Sequence, residues 1–173
     1  MKPVLILILL LSFTINAIGQ KVLNDSVGNK EPIAVAEFGG AVSRDIRGGG
    51  QSFGYSVAIE MTPIEDWLEL ELGVSPTFGS HLRERDIDLL VKKPWTFSPK
   101  LEFMFGVGAA WTHASTDGVV TNTASGEIAL DFMFWPYARH RFGWYLEPAY
   151  EYGFGQGHEQ SVGMSAGLLI AIP

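Results

Sequence analysis

Apolar side chains recur at every second position along most of this chain. In Trp67-Leu-Glu-Leu-Glu-Leu-Gly-Val74, residues Leu68, Leu70, Leu72 and Val74 fall on one side of an extended backbone, and Glu69 and Glu71 on the other. A helix does not carry this pattern, because its apolar positions recur every three to four residues. The period predicts strands with one apolar and one wet face. Eight segments follow it: Ile33–Val42, Gln51–Met61, Asp66–Ser75, Asp86–Lys93, Lys100–Thr112, Ala124–Trp135, Arg141–Gly153 and Ser161–Ile172. Most run 10 to 13 residues. An average strand has about 5–6, whereas a tilted strand that crosses a bilayer needs about 9–11.

The connectors alternate as well. Ser43–Gly50, Pro76–Arg85, His113–Thr123 and Phe154–Gln160 are long, while Thr62–Glu65, Pro94–Pro99 and Pro136–His140 are short and mostly contain proline. Long loops at one end and short turns at the other predict an all-β, eight-stranded, antiparallel up-and-down transmembrane β-barrel with periplasmic turns. Residues 1–19 read as a cleaved signal peptide: Lys2, then an apolar run from Val4 to Phe13 broken by Ser12, then Ala17-Ile18-Gly19 as a cleavage site before Gln20. That run is too short for a spanning helix, which needs about 20 apolar residues. Residues 20–32 read as a flexible periplasmic lead-in and 33–173 as the barrel. The absence of Cys excludes a disulfide scaffold, a Cys-ligated metal centre, a thiol nucleophile and a lipid-modified N-terminal Cys. With 19 acidic against 12 basic residues, nucleic acid is not an expected partner, because phosphates need clustered Lys and Arg.

The polar faces carry eleven acids (Glu37, Glu60, Glu69, Glu71, Asp86, Asp88, Glu102, Glu127, Asp131, Glu147, Glu151) and three bases (Lys92, Lys100, Arg141), interspersed with Gly, Ala and Ser. Small and charged residues suit a narrow lumen. The opposite faces, such as Phe53-x-Tyr-x-Val-x-Ile59 and Leu101-x-Phe-x-Phe-x-Val107, suit lipid. Aromatic residues gather at the segment ends: Trp95, Phe97, Trp135, Tyr137, Phe142 and Trp144 towards the turns, Phe53, Tyr55, Trp111, Tyr150, Tyr152 and Phe154 towards the loops. Two such bands are expected where a barrel meets the two membrane interfaces. A soluble lipocalin-like binder has the same alternation with inside and outside exchanged, and is the alternative architecture.

The segments Leu68-Glu-Leu-Glu-Leu-Gly73, Leu101-Glu-Phe-Met-Phe-Gly-Val-Gly108 and Gly163-Met-Ser-Ala-Gly-Leu-Leu-Ile-Ala-Ile172 resemble the small eight-stranded outer-membrane β-barrel proteins, the family that contains the membrane domain of outer membrane protein A. The resemblance covers residues 33–173. It implies a monomer in the outer membrane of a diderm bacterium, with outer-membrane lipid, lipopolysaccharide and the barrel-assembly machinery as partners. Two departures stand out. The chain ends Ile172-Pro173 where many members end in an aromatic residue, and Pro148 falls inside the seventh segment, where a bulge or a lost ladder bond is expected.

Eleven carboxyls facing three bases in a narrow lumen cannot all ionise without partners, so they imply a proton or cation path or, more simply, a hydrated polar plug. His81, His113 and His158 fall in predicted loops, and His140 in a turn beside Arg139 and Arg141. No two share a tight ligand spacing, so no metal and no cofactor are expected. His113-x-Ser115 followed by Glu127 looks like the His-x-Ser pair and Glu of the outer-membrane lipid A deacylases, which implies a hydrolase alternative with Ser115 as nucleophile, His113 as base and Glu127 as its orienting acid. Thr116 replaces that family's Asn, and Glu127 has lumen parity where Ser115 has lipid parity. Gly48-Gly-Gly50 follows Arg47 with no helix after it, and so is not a phosphate loop. The expected function is therefore structural, or an interaction through loops that carry Arg44, Arg47, Arg83 and Arg85, without catalysis or conductance.

Overall fold

The computed structural model describes residues 32–80, 82–136, 141–155 and 157–172. They form eight strands: β1 (Ala34–Asp45), β2 (Gln51–Ile64), β3 (Leu68–Phe78), β4 (Leu82–Ser98), β5 (Leu101–Thr116), β6 (Val119–Phe134), β7 (Phe142–Gly153) and β8 (Gln160–Ile172). Each pairs antiparallel with its neighbours in sequence, and β8 closes the barrel against β1, from Ala34 opposite Ile172 to Asp45 opposite Ser161. The expected signal peptide, residues 20–31 of the lead-in, His81, Tyr137 and His140 lie outside the described residues.

The wall is apolar on its outside and charged on its inside. Leu72 and Leu168 are each 49% exposed, while Glu60, Lys92 and Asp131 are at most 1% exposed. A barrel stable in water would bury its leucines and expose its charges. This one requires an apolar surround, which removes the soluble lipocalin-like alternative.

The strands are longer than their sequence pattern suggested. β3, β4, β5 and β6 run on past the lipid-like stretch, so the loops expected at Pro76–Arg85 and His113–Thr123 shrink to residues 79–81 and 117–118. Alternation continues there, but with Arg83, Arg85, His113 and Ser115 on the face that carries Leu and Phe lower down. The β5–β6 hairpin closes on Asp117-Gly118, whose φ angles are 51° and 86°. A two-residue turn with both φ positive matches the twist of the flanking strands, and Gly adopts that conformation without a Cβ penalty. At the other end, residues 65–67 and 99–100 make two turns and 135–141 link β6 to β7. The expected contrast between long and short connectors is thus lost, because strand replaces loop.

Pro148 lies in β7 without a bulge. The β6–β7 ladder stops at Ala129 opposite Ala149 and resumes in the same register at Phe132 opposite Leu146. Pro76 interrupts the β2–β3 ladder likewise, between Gly54 opposite Thr77 and Val57 opposite Val74. Proline has no N–H to donate, so pairing lapses locally while the neighbouring strand holds the register. Pro148→Ala is expected to leave the fold intact and shift stability by no more than about 1 kcal/mol, one hydrogen bond's net worth, in urea titrations of the vesicle-inserted protein. A failure to fold would mean that the proline is structurally required.

Most of the expected aromatic bands are confirmed: Phe97, Phe142 and Trp144 are exposed towards the turns, and Phe53, Tyr55, Trp111 and Phe154 towards the loops. Trp135 is the exception. It is 2% exposed and packs inside the barrel with Val35, Met104, Met133, Tyr145 and Leu169. Trp135 has the parity of Asp131 and Met133, which point inward, and parity overrides the interfacial preference of its ring.

Candidate functional site

The lumen is layered. At the end where β1 begins and β8 finishes, the cluster around Trp135 and Met104 fills it with apolar side chains. Above lies a charged layer built from six strands: Glu37 on β1, Glu60 on β2, Glu69 and Glu71 on β3, Lys92 on β4, Asp131 on β6 and Glu147 on β7. Period two places each of them inward, and Gly106 on β5, opposite Lys92 in the ladder, leaves room for the lysine stem. The Lys92 ammonium donates to Glu71, to Asp131 Oδ2 at 3.1 Å and to Glu147 Oε2 at 2.6 Å. One oxygen from each of Glu37, Glu60, Glu71 and Asp131 lies within 4.8 Å of the others. The residues of this layer are six of the eleven acids and one of the three bases that the sequence places on the polar faces. Lys100 and Arg141 are instead exposed at the barrel end, so Lys92 alone among the three is the buried counter-charge.

Above the charged layer the lumen widens. A cavity of about 90 Å3 is lined by Ser56, Asp88, Glu127 and Ser165, among others. It leads into a cup of about 280 Å3 at the loop end, lined by Ser43, Asp45, Thr123 and Glu159, among others. Hydroxyls hold two of the cup's acids. Ser52 and Thr77 donate to Glu84 Oε2 at 3.3 and 3.2 Å, while Thr112 and Ser161 donate to Glu151 at 3.4 Å each, joined by Ser125. Glu84 escaped the sequence reading because β4 was begun at Asp86. The parity it shares with Asp86, Asp88 and Lys92 is the signal that identifies it.

The hydrolase trio is not assembled. Glu127 lines the interior cavity, opposite Gly108 and Glu151 in the ladders. His113 and Ser115 alternate with the inward Ala110 and Thr112 and so take the outer face with Trp111, which is exposed. His113 Nδ1 lies 2.9 Å from Asn122 Oδ1, its cross-strand partner, and its ring is 6.0 Å from that of Trp111. The imidazole is thus oriented by an amide on the wall, with the carboxylate on the other side of the sheet. His158 stacks on Tyr152 at 5.7 Å in the last loop. Neither described histidine joins a group of metal-ligating side chains; the group that does form is carboxylate. Of the four arginines expected in loops, Arg83 and Arg85 are in β4 and Arg44 in β1. Arg47 is in a loop, where its guanidinium donates to Gly157 O at 2.9 Å and its N–H to Asp45 Oδ1 at 2.8 Å.

No family model and no curated protein match this chain. Solved structures do. The neisserial surface protein NspA superposes with a TM-score of 0.64 at 12% identity, over 80% of this chain and 96% of that one. Ail, the attachment invasion locus protein of Yersinia pestis, in its complex with the heparin analogue sucrose octasulfate, gives 0.61 at 13% identity over 82% and 99%. The outer membrane enzyme PagL gives 0.52 at 10% identity over 80% and 99%. With its closed eight-strand ladder and apolar outer wall, this chain has the fold of the small eight-stranded outer-membrane β-barrels, and its place is the bacterial outer membrane.

Proposed function

We propose that this protein is a non-enzymatic, non-conducting barrel that acts structurally and through its outer rim. The observation that carries this reading is the filled lumen: Lys92, bonded to Glu71, Asp131 and Glu147 and set among Glu37, Glu60 and Glu69, rests on the apolar plug of Trp135, Met104 and Met133. Eight strands enclose only enough space for side chains. What the protein offers to other molecules is then its rim and wall. The Ail barrel was crystallised with a sulfated sugar, and the arginines at this rim support an anion as the ligand class. Outer-membrane lipid and lipopolysaccharide are the proposed partners of the inserted monomer, and the barrel-assembly machinery its partner during insertion.

Two measurements on cells and membranes test this. Planar bilayers holding the purified protein should show no discrete channel steps, and lipid A from expressing cells should keep its acyl number by mass spectrometry. Loss of an acyl chain that Ser115→Ala restores would establish the deacylase alternative, and steady unitary conductance would contradict the filled lumen.

A further inference from the structure

The outer surface of β4 carries two arginines where the lipid-facing row ends. We propose that Arg83 and Arg85, with His113 beside them, form a clamp for a phosphate of the glycolipid in the outer leaflet. The inference rests on the outer-membrane function proposed above and adds a ligand and a place to it.

Facing comes first. Along β4, Glu84 and Asp86 line the cup, while Arg83 and Arg85 take the opposite face and are exposed, in line with Ile87, Leu89 and Val91. These arginines therefore project from the wall rather than from a loop.

Height comes next. From Trp95 at the inner aromatic band to Arg85 is ten residues of continuous strand. At about 3.3 Å per residue and a tilt of about 35–45°, that spans roughly 25 Å, the thickness of the apolar band on a membrane barrel. Arg85 thus sits where hydrocarbon gives way to headgroups, and Arg83 about one side chain higher.

Among the described residues the ion pairs all belong to Lys92, and none involves Arg83 or Arg85. Arg85 has Pro76 and His113 as its ladder partners, and Arg83 has Phe78 and Ser115. Glu84 and Asp86, the acids of β4 at this height, line the cup. A guanidinium at an apolar boundary without an anion is costly, and the anion at that depth is lipid phosphate. The two arginines are about 6.6 Å apart along the strand, close enough for both forks to reach one phosphate or two on the same headgroup. The His113 ring, held at Nδ1 by Asn122 Oδ1, stands beside Arg85 on the same face. Arg47, tied to Gly157 O, is left out.

The test is native mass spectrometry of the purified full-length barrel released from detergent with bisphosphorylated lipid A, with dephosphorylated lipid A, or with phosphatidylcholine. Wild type should retain the phosphorylated glycolipid preferentially. R83Q/R85Q should lose retention roughly 30-fold, about fivefold for each cation at a membrane surface. Arg141→Gln, at the opposite end, should have no effect. Heat-dependent gel mobility confirms that each variant is folded; if the double variant is not, R83Q and R85Q alone should each lose about fivefold. Equal retention by wild type and folded variants, or equal retention of the dephosphorylated lipid, would overturn the clamp. An acyl loss in the bound lipid A would instead overturn the non-enzymatic reading, so the two failures are distinguishable in one spectrum.

Discussion

Lys92→Met should be one of the most damaging single substitutions in this barrel, costing roughly 3–5 kcal/mol, the loss found when one partner of a buried ion pair is removed. The ammonium makes bonds to Glu71, Asp131 and Glu147, carried on three different strands. Methionine fills the same volume beside Gly106 but leaves those carboxyls facing Glu37 and Glu60 with no base among them. Urea midpoints for unfolding from vesicles should drop accordingly, or the variant should fail to insert. Lys92→Met combined with Glu71→Met should recover part of the loss, because removing both partners of a buried pair costs less than removing one. If Lys92→Met alone costs less than about 1 kcal/mol, the charged layer is not organised by Lys92.

How far the sequence foretold this follows from which residues obey period two. Strand count, order and closure were legible because alternation over ten or more residues fixes both the element and its face. The charged layer was legible as a composition, since Glu37, Glu60, Asp131 and Lys92 all have lumen parity. Its geometry was not, because barrel shear decides which inward residues share a level, and single-strand patterns do not contain it. The strand ends were misjudged where the outward face turns polar: Arg83, Arg85, His113 and Ser115 look like loop residues until the ladder shows them above the lipid band. Asp117-Gly118 was a readable hairpin signal that went unused. Trp135 shows the opposite error, where residue type was weighed over parity.

Leu72→Arg should be the most damaging substitution on the outer wall. Leu72 faces outward from the middle of β3, between the buried Glu71 and Gly73, and lies beside Ile59 and Leu89 on the neighbouring strands. An arginine at the bilayer midplane of a barrel costs about 2–4 kcal/mol, and the cost falls to about 0–1 near the interfaces. Val120→Arg, on the same face of β6 but beside Ser115 at the outer rim, should cost less than about 1 kcal/mol. Refolding yields and urea midpoints in vesicles read both. Equal tolerance at Leu72 and Val120 would mean that the outer wall does not face lipid.

The central claim, that apolar outside and charged inside belong to one barrel set in a bilayer, is tested most directly by the five tryptophans. Trp111 and Trp144 are exposed on the wall, Trp67 is exposed in the β2–β3 turn and Trp95 is partly exposed, whereas Trp135 is sealed in the lumen. The barrel is inserted into vesicles of brominated lipid, and fluorescence is measured for wild type and for each Trp→Phe variant. The account predicts strong quenching with an unquenched remainder that disappears only in Trp135→Phe. Emission that brominated lipid does not quench, or quenching of Trp135 equal to that of the other four, would contradict it.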